Sequence, residues 1–174
     1  LVEPSHPGNI GSAARAIKTM GFTDLRVVSP RVRDYKSDPE AVALATSSVD
    51  VLQSALTHDT LLDALDGVAQ AYALSGYSRE FGPPIEELRV SVAKAAAWLE
   101  LPRERTGGDI AFVFGTERSG LTNEQMNLCQ TCSAIPANPL SPSLNLSQAV
   151  QITAYEMQLA LLGDKDEELY SWQS

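Results

Sequence analysis

Hydrophobic positions along the chain recur with two periods. Short apolar or β-branched runs read as strands: LRVVS (25–29), AQAYALSG (69–76), IAFVFG (110–115) and CSAI (132–135). IAFVFG is apolar throughout, the pattern of a strand covered on both faces. Leu1–Val2 reads as the end of a further strand whose earlier residues lie upstream. Between these runs the spacing turns helical. Residues 9–20 are Ala-rich and are followed by Gly21 as a stop. SDPEAVALA opens a helix, with Asp38 as cap and Pro39 in its first turn. DTLLDALDG (59–67) and SVAKAAAWLEL (91–101) form two more. Thr122 and Gln125 have capping-box spacing and predict a short helix. NLSQAVQITAYEMQLALL closes the pattern, with apolar or small residues at 146, 149, 150, 153, 154, 157 and 161 on one face. Strands alternating with helices predict an α/β fold with a mainly parallel sheet flanked by helices. Residues 1–163 read as one domain, and 164–174 as a charged tail leading toward a C-terminal extension.

Composition changes this picture little: 44% apolar and 20% charged over 174 residues is ordinary for a globular domain. No apolar run approaches membrane-spanning length, so no membrane partner is expected. Two cysteines do not make a disulfide framework, and a cytoplasmic setting is expected. Cys129 and Cys132 have redox or metal spacing, but one such pair is half a zinc site, so no metal is expected. Charge is more informative. The net value of −9 argues against nucleic acid at face value. Residues 1–36, however, hold six basic side chains against three acidic ones, a balance of +3, and the remainder carries −12. The basic part surrounds the opening loop, although a solvated mixed surface accounts for charge alone equally well.

Three loops at predicted strand ends carry the candidate chemistry, where ligands of open α/β sheets gather. They are PGNIGSAAR (7–15), FGTERSGLTNE (114–124) and IPANPLSPSLNLS (135–147). Each is rich in Gly, Pro, Ser or Asn, so each can present backbone N–H groups and short polar side chains. Singly, each has a bland reading: Asn9 to Arg15 as a helix start with a surface Arg, Glu117–Arg118 as a solvated pair, and Ser143 and Asn145 as caps. GxGxxG, GxxxxGK[ST] and GxSxG are absent, which removes the main support for dinucleotide, P-loop and hydrolase readings. His6 and His58 lack a triad partner in the pattern.

Together, N-x-G-x-x-x-R, F-G-x-E-x-x-G-L and I-P-x-N-P-x-x-x-S-L-N-L-S-x-A-V resemble the three motifs of the SpoU/TrmH branch of SPOUT RNA methyltransferases. All three occur in order across nearly the whole chain. The wording of the first is similar to the TrmJ-like subgroup, which methylates the ribose of nucleotide 32 in the tRNA anticodon loop. The resemblance implies a sheet with a C-terminal deep trefoil knot, a homodimer with active sites near the subunit interface, and S-adenosyl-L-methionine as cofactor. It implies cofactor contacts from Ser75, Gly76, Tyr77, Gly115, Ile135, Pro142, Ser143 and Leu144. The implied catalytic set is Asn9, Arg15, Glu117, Ser143 and Asn145. Siblings acting on tRNA nucleotide 34 or on ribosomal RNA, and a non-catalytic RNA-binding dimer of the same fold, are the alternatives.

The chemistry can be reasoned without the resemblance. Methylating a ribose hydroxyl requires two positioned reactants and a hydroxyl made nucleophilic. Arg is normally protonated and is a poor base. Arg15 is therefore expected to bind an RNA phosphate and stabilise the developing alkoxide. Asn9 would orient Arg15 or the ribose, and Glu117 would hold a guanidinium or a loop backbone.

Overall fold

The computed structural model describes residues 1–75, 82–141 and 144–163. Its elements, in chain order, begin with α1 (Pro7–Thr19), β1 (Arg26–Val28), α2 (Pro39–Ala45), α3 (Val49–Ser54) and β2 (Leu56–His58). They continue with α4 (Leu61–Ala64), β3 (Val68–Leu74), β4 (Ile85–Glu87), α5 (Leu88–Glu100) and α6 (Arg103–Thr106). β5 (Asp109–Phe114), α7 (Asn123–Asn127), β6 (Thr131–Ala134) and α8 (Leu146–Leu162) complete them.

Two parallel sheets, β1-β2 and β4-β6-β3-β5, are joined by the first three residues. Val2 N–H donates to the Phe114 carbonyl at 2.8 Å, Glu3 N–H to Val28 at 2.7 Å, and Val28 N–H to Leu1 at 2.8 Å. This extended start inserts between β5 and β1, as its reading as a strand end predicts. Alternate residues of the central strands face opposite layers. Ala71, Ala73 and Val113 pack with Leu121, Met126 and Cys132 on one side. Tyr72 and Phe112 stack on the other, ring centroids 5.3 Å apart, over Val92 of α5 and Met157 of α8. A third cluster buries Ile10, Ala14, Val27, Tyr35, Ala41 and Leu52 beneath α1, α2 and α3. Among the described residues no helix is long and apolar enough to cross a membrane.

Local chemistry explains where several elements begin. The Asp38 carboxylate accepts from Glu40 N–H and Ala41 N–H at 3.0 and 3.1 Å, capping α2. Thr122 and Gln125 form the reciprocal capping box of α7. The 59–67 helix contracts to Leu61–Ala64, opened by Thr60 and closed before Gly67, whose φ is 79°. α3, β2, β4 and α6 are additional to the expected elements. β2 and β4 have three residues each, mostly exposed, too short to show a period. Leu161, expected on the apolar face of the last helix, is 41% exposed, whereas Leu146, Val150, Ala154 and Met157 of that face are buried.

The closest helix contact depends on one glycine. A Cβ on Gly11 would lie 2.0 Å from the Ala41 carbonyl oxygen of α2, a backbone atom that cannot swing away. A Cβ on Gly8 would instead meet the flexible end of the Glu40 side chain at 2.8 Å. Gly11→Ala is therefore expected to destabilise by about 1–3 kcal/mol or more, and Gly8→Ala by clearly less. Urea unfolding of the two variants checks this, and equal midpoints would contradict it.

Candidate active site

Ser75, Gly115 and Ile135 directly follow β3, β5 and β6, which are adjacent and parallel, so all three stand along one sheet edge. Ser75 N–H donates to the Ser133 carbonyl at 3.0 Å, tying two of these strand ends together. Beneath them, Ser133 Oγ and Ser91 Oγ are 2.5 Å apart and fully buried, and Ser91 donates to Glu86 Oε1 at 2.8 Å. This hydroxyl–carboxylate chain joins β6, α5 and β4. Nothing in the sequence pattern singled it out, because Ser91 lies in a helix legible only by its alanines.

The second loop is a tight turn. Gly120 N–H donates to the Thr116 carbonyl at 3.1 Å, and Thr116 Oγ1 lies 2.8 Å from Ser119 Oγ. Gly115 has no room for a side chain, since a Cβ would lie 2.2 Å from the Gly120 carbonyl carbon. The 7–15 segment expected as the first loop is already helix, within α1, and the loop itself is residues 3–6, at which the turn projects Glu117. Its carboxylate accepts Asn9 Nδ2 at 3.0 Å and Ser5 N–H at 3.1 and 3.2 Å. Glu117 thus holds a loop backbone and an amide, and it forms no ion pair with Arg118. Burial opposes its ionisation, but the hydrogen bonds from Asn9, its own N–H and Ser5 together hold its pKa below the ordinary carboxylate value. A second tie is Gln125 Nε2 donating to Glu3 Oε2 at 3.3 Å. The Ser5 and Gln125 contributions have no sequence signature, one being main-chain and the other doubling as a helix cap.

α1 starts immediately after this loop. Its Ala13 and Ala16 pack with Phe114, Leu146 and Val150, so α1 touches the residue before Gly115 and the residue after Asn145. All three motif segments therefore meet around α1. Arg15, between buried Ala14 and Ala16, is exposed and has no acid or acceptor among the described residues.

In the third loop Ile135 and Leu144 are half-buried. Asn145 Oδ1 accepts Gln148 N–H at 2.8 Å and Ser147 Oγ at 3.0 Å, so this residue is the cap of α8. That leaves its Nδ2 available to a ligand. Gly76, Tyr77, Pro142 and Ser143 lie outside the described residues. Residues 135–145 contain no charged side chain. Neutral main-chain groups at three strand ends, beside an uncharged loop, fit a nucleoside-type cofactor recognised chiefly through backbone. A cleft of about 530 Å³ elsewhere, between β1 and β5, is walled by Ile17, Phe22, Leu65, Val68 and Phe112 and contains none of the motif polar residues. Its lining combines core side chains with the exposed Gly21, Thr23, Asp24 and Leu99.

Cys129 and Cys132 form no disulfide and are buried in one apolar cluster. Burial, with Cys132 adding to it, pushes the Cys129 pKa up to about 12, which makes it unreactive near neutral pH. Among the described residues no three His, Cys, Asp or Glu side chains converge as a metal site. His58 is half-buried at the end of β2, and its Nε2 has no partner among the described residues.

Residues 1–155 match the model of the SpoU rRNA methylase family. The tRNA (cytidine/uridine-2′-O-)-methyltransferase TrmJ of Yersinia enterocolitica is 46% identical over 162 residues, covering 93% of this chain and 60% of that protein. The chain thus spans about 60% of the length of the curated relatives it matches. A probable methyltransferase from Bordetella pertussis Tohama I superposes with a TM-score of 0.84 at 50% identity, covering 92% of this chain and 93% of that one. TrmJ from Z. mobilis ZM4 superposes with a TM-score of 0.78 at 34% identity, covering 90% and 66%.

Two outcomes follow from the geometry. Because folding lowers the Glu117 pKa, its contribution is full above the unfolded value and is lost as pH falls through the folded one. Glu117→Gln should lower the urea midpoint near pH 7, and the gap to wild type should close as pH falls below the ordinary carboxylate range. A gap independent of pH would contradict this. Cys129 should resist alkylation in the native protein at about pH 8 and react on unfolding; mass spectrometry distinguishes the two, and rapid native labelling would contradict the burial.

Proposed function

The chain belongs to the SpoU rRNA methylase family, and from that membership and the site geometry we propose that it is an S-adenosylmethionine-dependent tRNA ribose 2′-O-methyltransferase acting on nucleotide 32 of the anticodon loop. The observation that carries the reading is the Glu117 carboxylate, which ties Ser5 and Asn9 to the turn beginning at Gly115. It brings the start of the Arg15 helix against the strand ends suited to the cofactor.

Ser75, Gly115, Ile135 and Leu144, with Gly76, Tyr77, Pro142 and Ser143 of the intervening segments, hold the cofactor mainly through main-chain groups. When bound, S-adenosylmethionine supplies an activated methyl carbon. The protein's share of the work is placement and charge. Arg15 binds the phosphate beside the target ribose and stabilises negative charge growing on the 2′-oxygen. Its planar fork, fixed against two oxygens, supplies a geometry that a lysine cannot copy. Asn9 gives its Nδ2 to Glu117, which leaves its carbonyl oxygen to orient Arg15 or the ribose. Asn145 uses its oxygen as a cap, which leaves its amide nitrogen to donate to substrate. Ser143 donates to substrate or braces the third loop.

The further parts of the reading have their own support. A C-terminal trefoil knot is consistent with β6 lying between β4 and β3 while α8 returns to pack on α1 and α5. A homodimer is consistent with Tyr155 and Leu159 of α8 being 49% and 40% exposed. A cytoplasmic location follows from a tRNA substrate.

Labelled methyl transfer from S-adenosylmethionine to tRNA, with mapping of the modified nucleotide, tests the reading. Transfer to the 2′-oxygen of nucleotide 32 is expected. Cofactor binding without transfer to tRNA would sink it, and transfer mapped to nucleotide 34 would replace its target. Arg15→Lys should lower turnover by about 100-fold or more with cofactor affinity retained, and near-normal turnover would remove the role given to Arg15.

A further inference from the structure

The charge balance of the surface singles out one rim of this site. Acidic side chains outnumber basic ones 22 to 13, so most cations should find a carboxylate. Six described ones do, from Lys94–Glu86 at 2.6 Å to Arg26–Asp24 at 3.4 Å, and Lys36 donates to the Gln53 carbonyl at 3.0 Å. The guanidiniums of Arg15, Arg31, Arg105 and Arg118 have neither an ion pair nor a hydrogen bond among the described residues, and all four residues are exposed.

Three of these four surround the first loop. Arg31 N–H donates to the Pro4 carbonyl at 3.1 Å, which anchors its backbone on that loop. Ser5, next in the chain, donates to Glu117, and Arg118 is the neighbour of Glu117. Arg31 and Arg118 therefore both adjoin residues 4–6, the segment that leads into α1 and Arg15. Two nearby carboxylates are directed elsewhere: Glu117 holds the loop and Glu3 accepts from Gln125 at 3.3 Å. α1 itself begins at Pro7 with no side-chain cap and no acidic residue of its own in its first turn, and the Glu40 carboxylate of α2 lies beside Gly8 there.

We infer that Arg31 and Arg118 form a rim that binds the phosphate backbone of RNA and leads it across the first loop to Arg15. The inference rests on the RNA reading above and extends it to two residues outside the proposed catalytic and cofactor sets. Unpaired guanidiniums on an acidic protein are disposed for a polyanion, because phosphates displace no resident carboxylate from them. Contacts of this kind position the backbone and carry no base information. They also account for how a chain of net charge −9 engages RNA: it needs a local concentration of free cations, and a net positive charge is unnecessary.

Titration of fluorescent tRNA over a salt series tests this. Arg31→Ala and Arg118→Ala should each lower affinity and reduce the slope of log K against log salt by about 0.7–0.9, with the double variant near twice that. The loss should be similar for tRNAs of different sequence, and cofactor affinity should not move. Arg31→Lys and Arg118→Lys should restore most of the slope. Arg105→Ala, at the opposite end of β5, should change neither quantity. If both alanine variants match Arg105→Ala while the wild type binds and methylates tRNA, the rim is wrong and the function stands. If the wild type binds no tRNA at any salt, both fall together.

Discussion

One carboxylate decides whether this site exists. Residues 3–6 are neither helix nor strand, and Glu3 has a φ of 49°, so nothing repetitive in their backbone determines where they go. Glu117 supplies that direction by accepting from Ser5 and Asn9 across 112 and 108 positions of sequence. Hydrogen bonds to an ionised acceptor are the strong class, and here their donors more than offset the cost of partial burial. The consequence extends to Arg118: with Glu117 committed to the loop, its exposed neighbour has no counter-ion among the described residues. The same carboxylate therefore closes the inner face of the loop and leaves a cation free at its edge.

The sheet and the glycines make that interaction possible. The first three residues lie between β5 and β1, which sets the loop above the strand ends. Gly115 then lets the second loop double back within 2.2 Å of where a Cβ would be, so Glu117 turns toward the first loop. Gly11 lets α1 settle on α2, and Ala13 and Ala16 let it lie against Phe114 and Leu146. Small residues at successive contacts are what allow three distant segments to share one small volume. The site is built by close approach, and its polar groups are few.

Features carried by neighbouring residues were legible in the sequence, and features carried by distant ones were not. The caps at Asp38 and Thr122 were readable because donor and acceptor lie two or three positions apart. The strand β5 was readable by its continuous apolar run, and most of the face of α8 by period. Asn9, Glu117 and Asn145 stood out by motif, yet their partners did not: Glu117 was expected to hold a guanidinium or a loop, and it holds the loop. Asn145 serves as the cap its residue type suggests, which does not exclude a second use of its amide. The three-residue strands β2 and β4 and the Glu86–Ser91–Ser133 chain were illegible, because short exposed strands have no period and a buried serine looks like any other helix residue. Gly76, Tyr77, Pro142 and Ser143 are proposed from the resemblance alone.

The central claim is that Asn9 and Glu117 act as one unit, and a double-mutant cycle measures it most directly. Asn9→Ala, Glu117→Ala and the pair would be compared by urea unfolding at about pH 7. A shared hydrogen bond predicts a coupling of about 0.5–3 kcal/mol, with the double variant less destabilised than the sum of the singles. Additive effects, within about 0.3 kcal/mol, would mean the two side chains are merely near each other, and the account of how the site is assembled would fail.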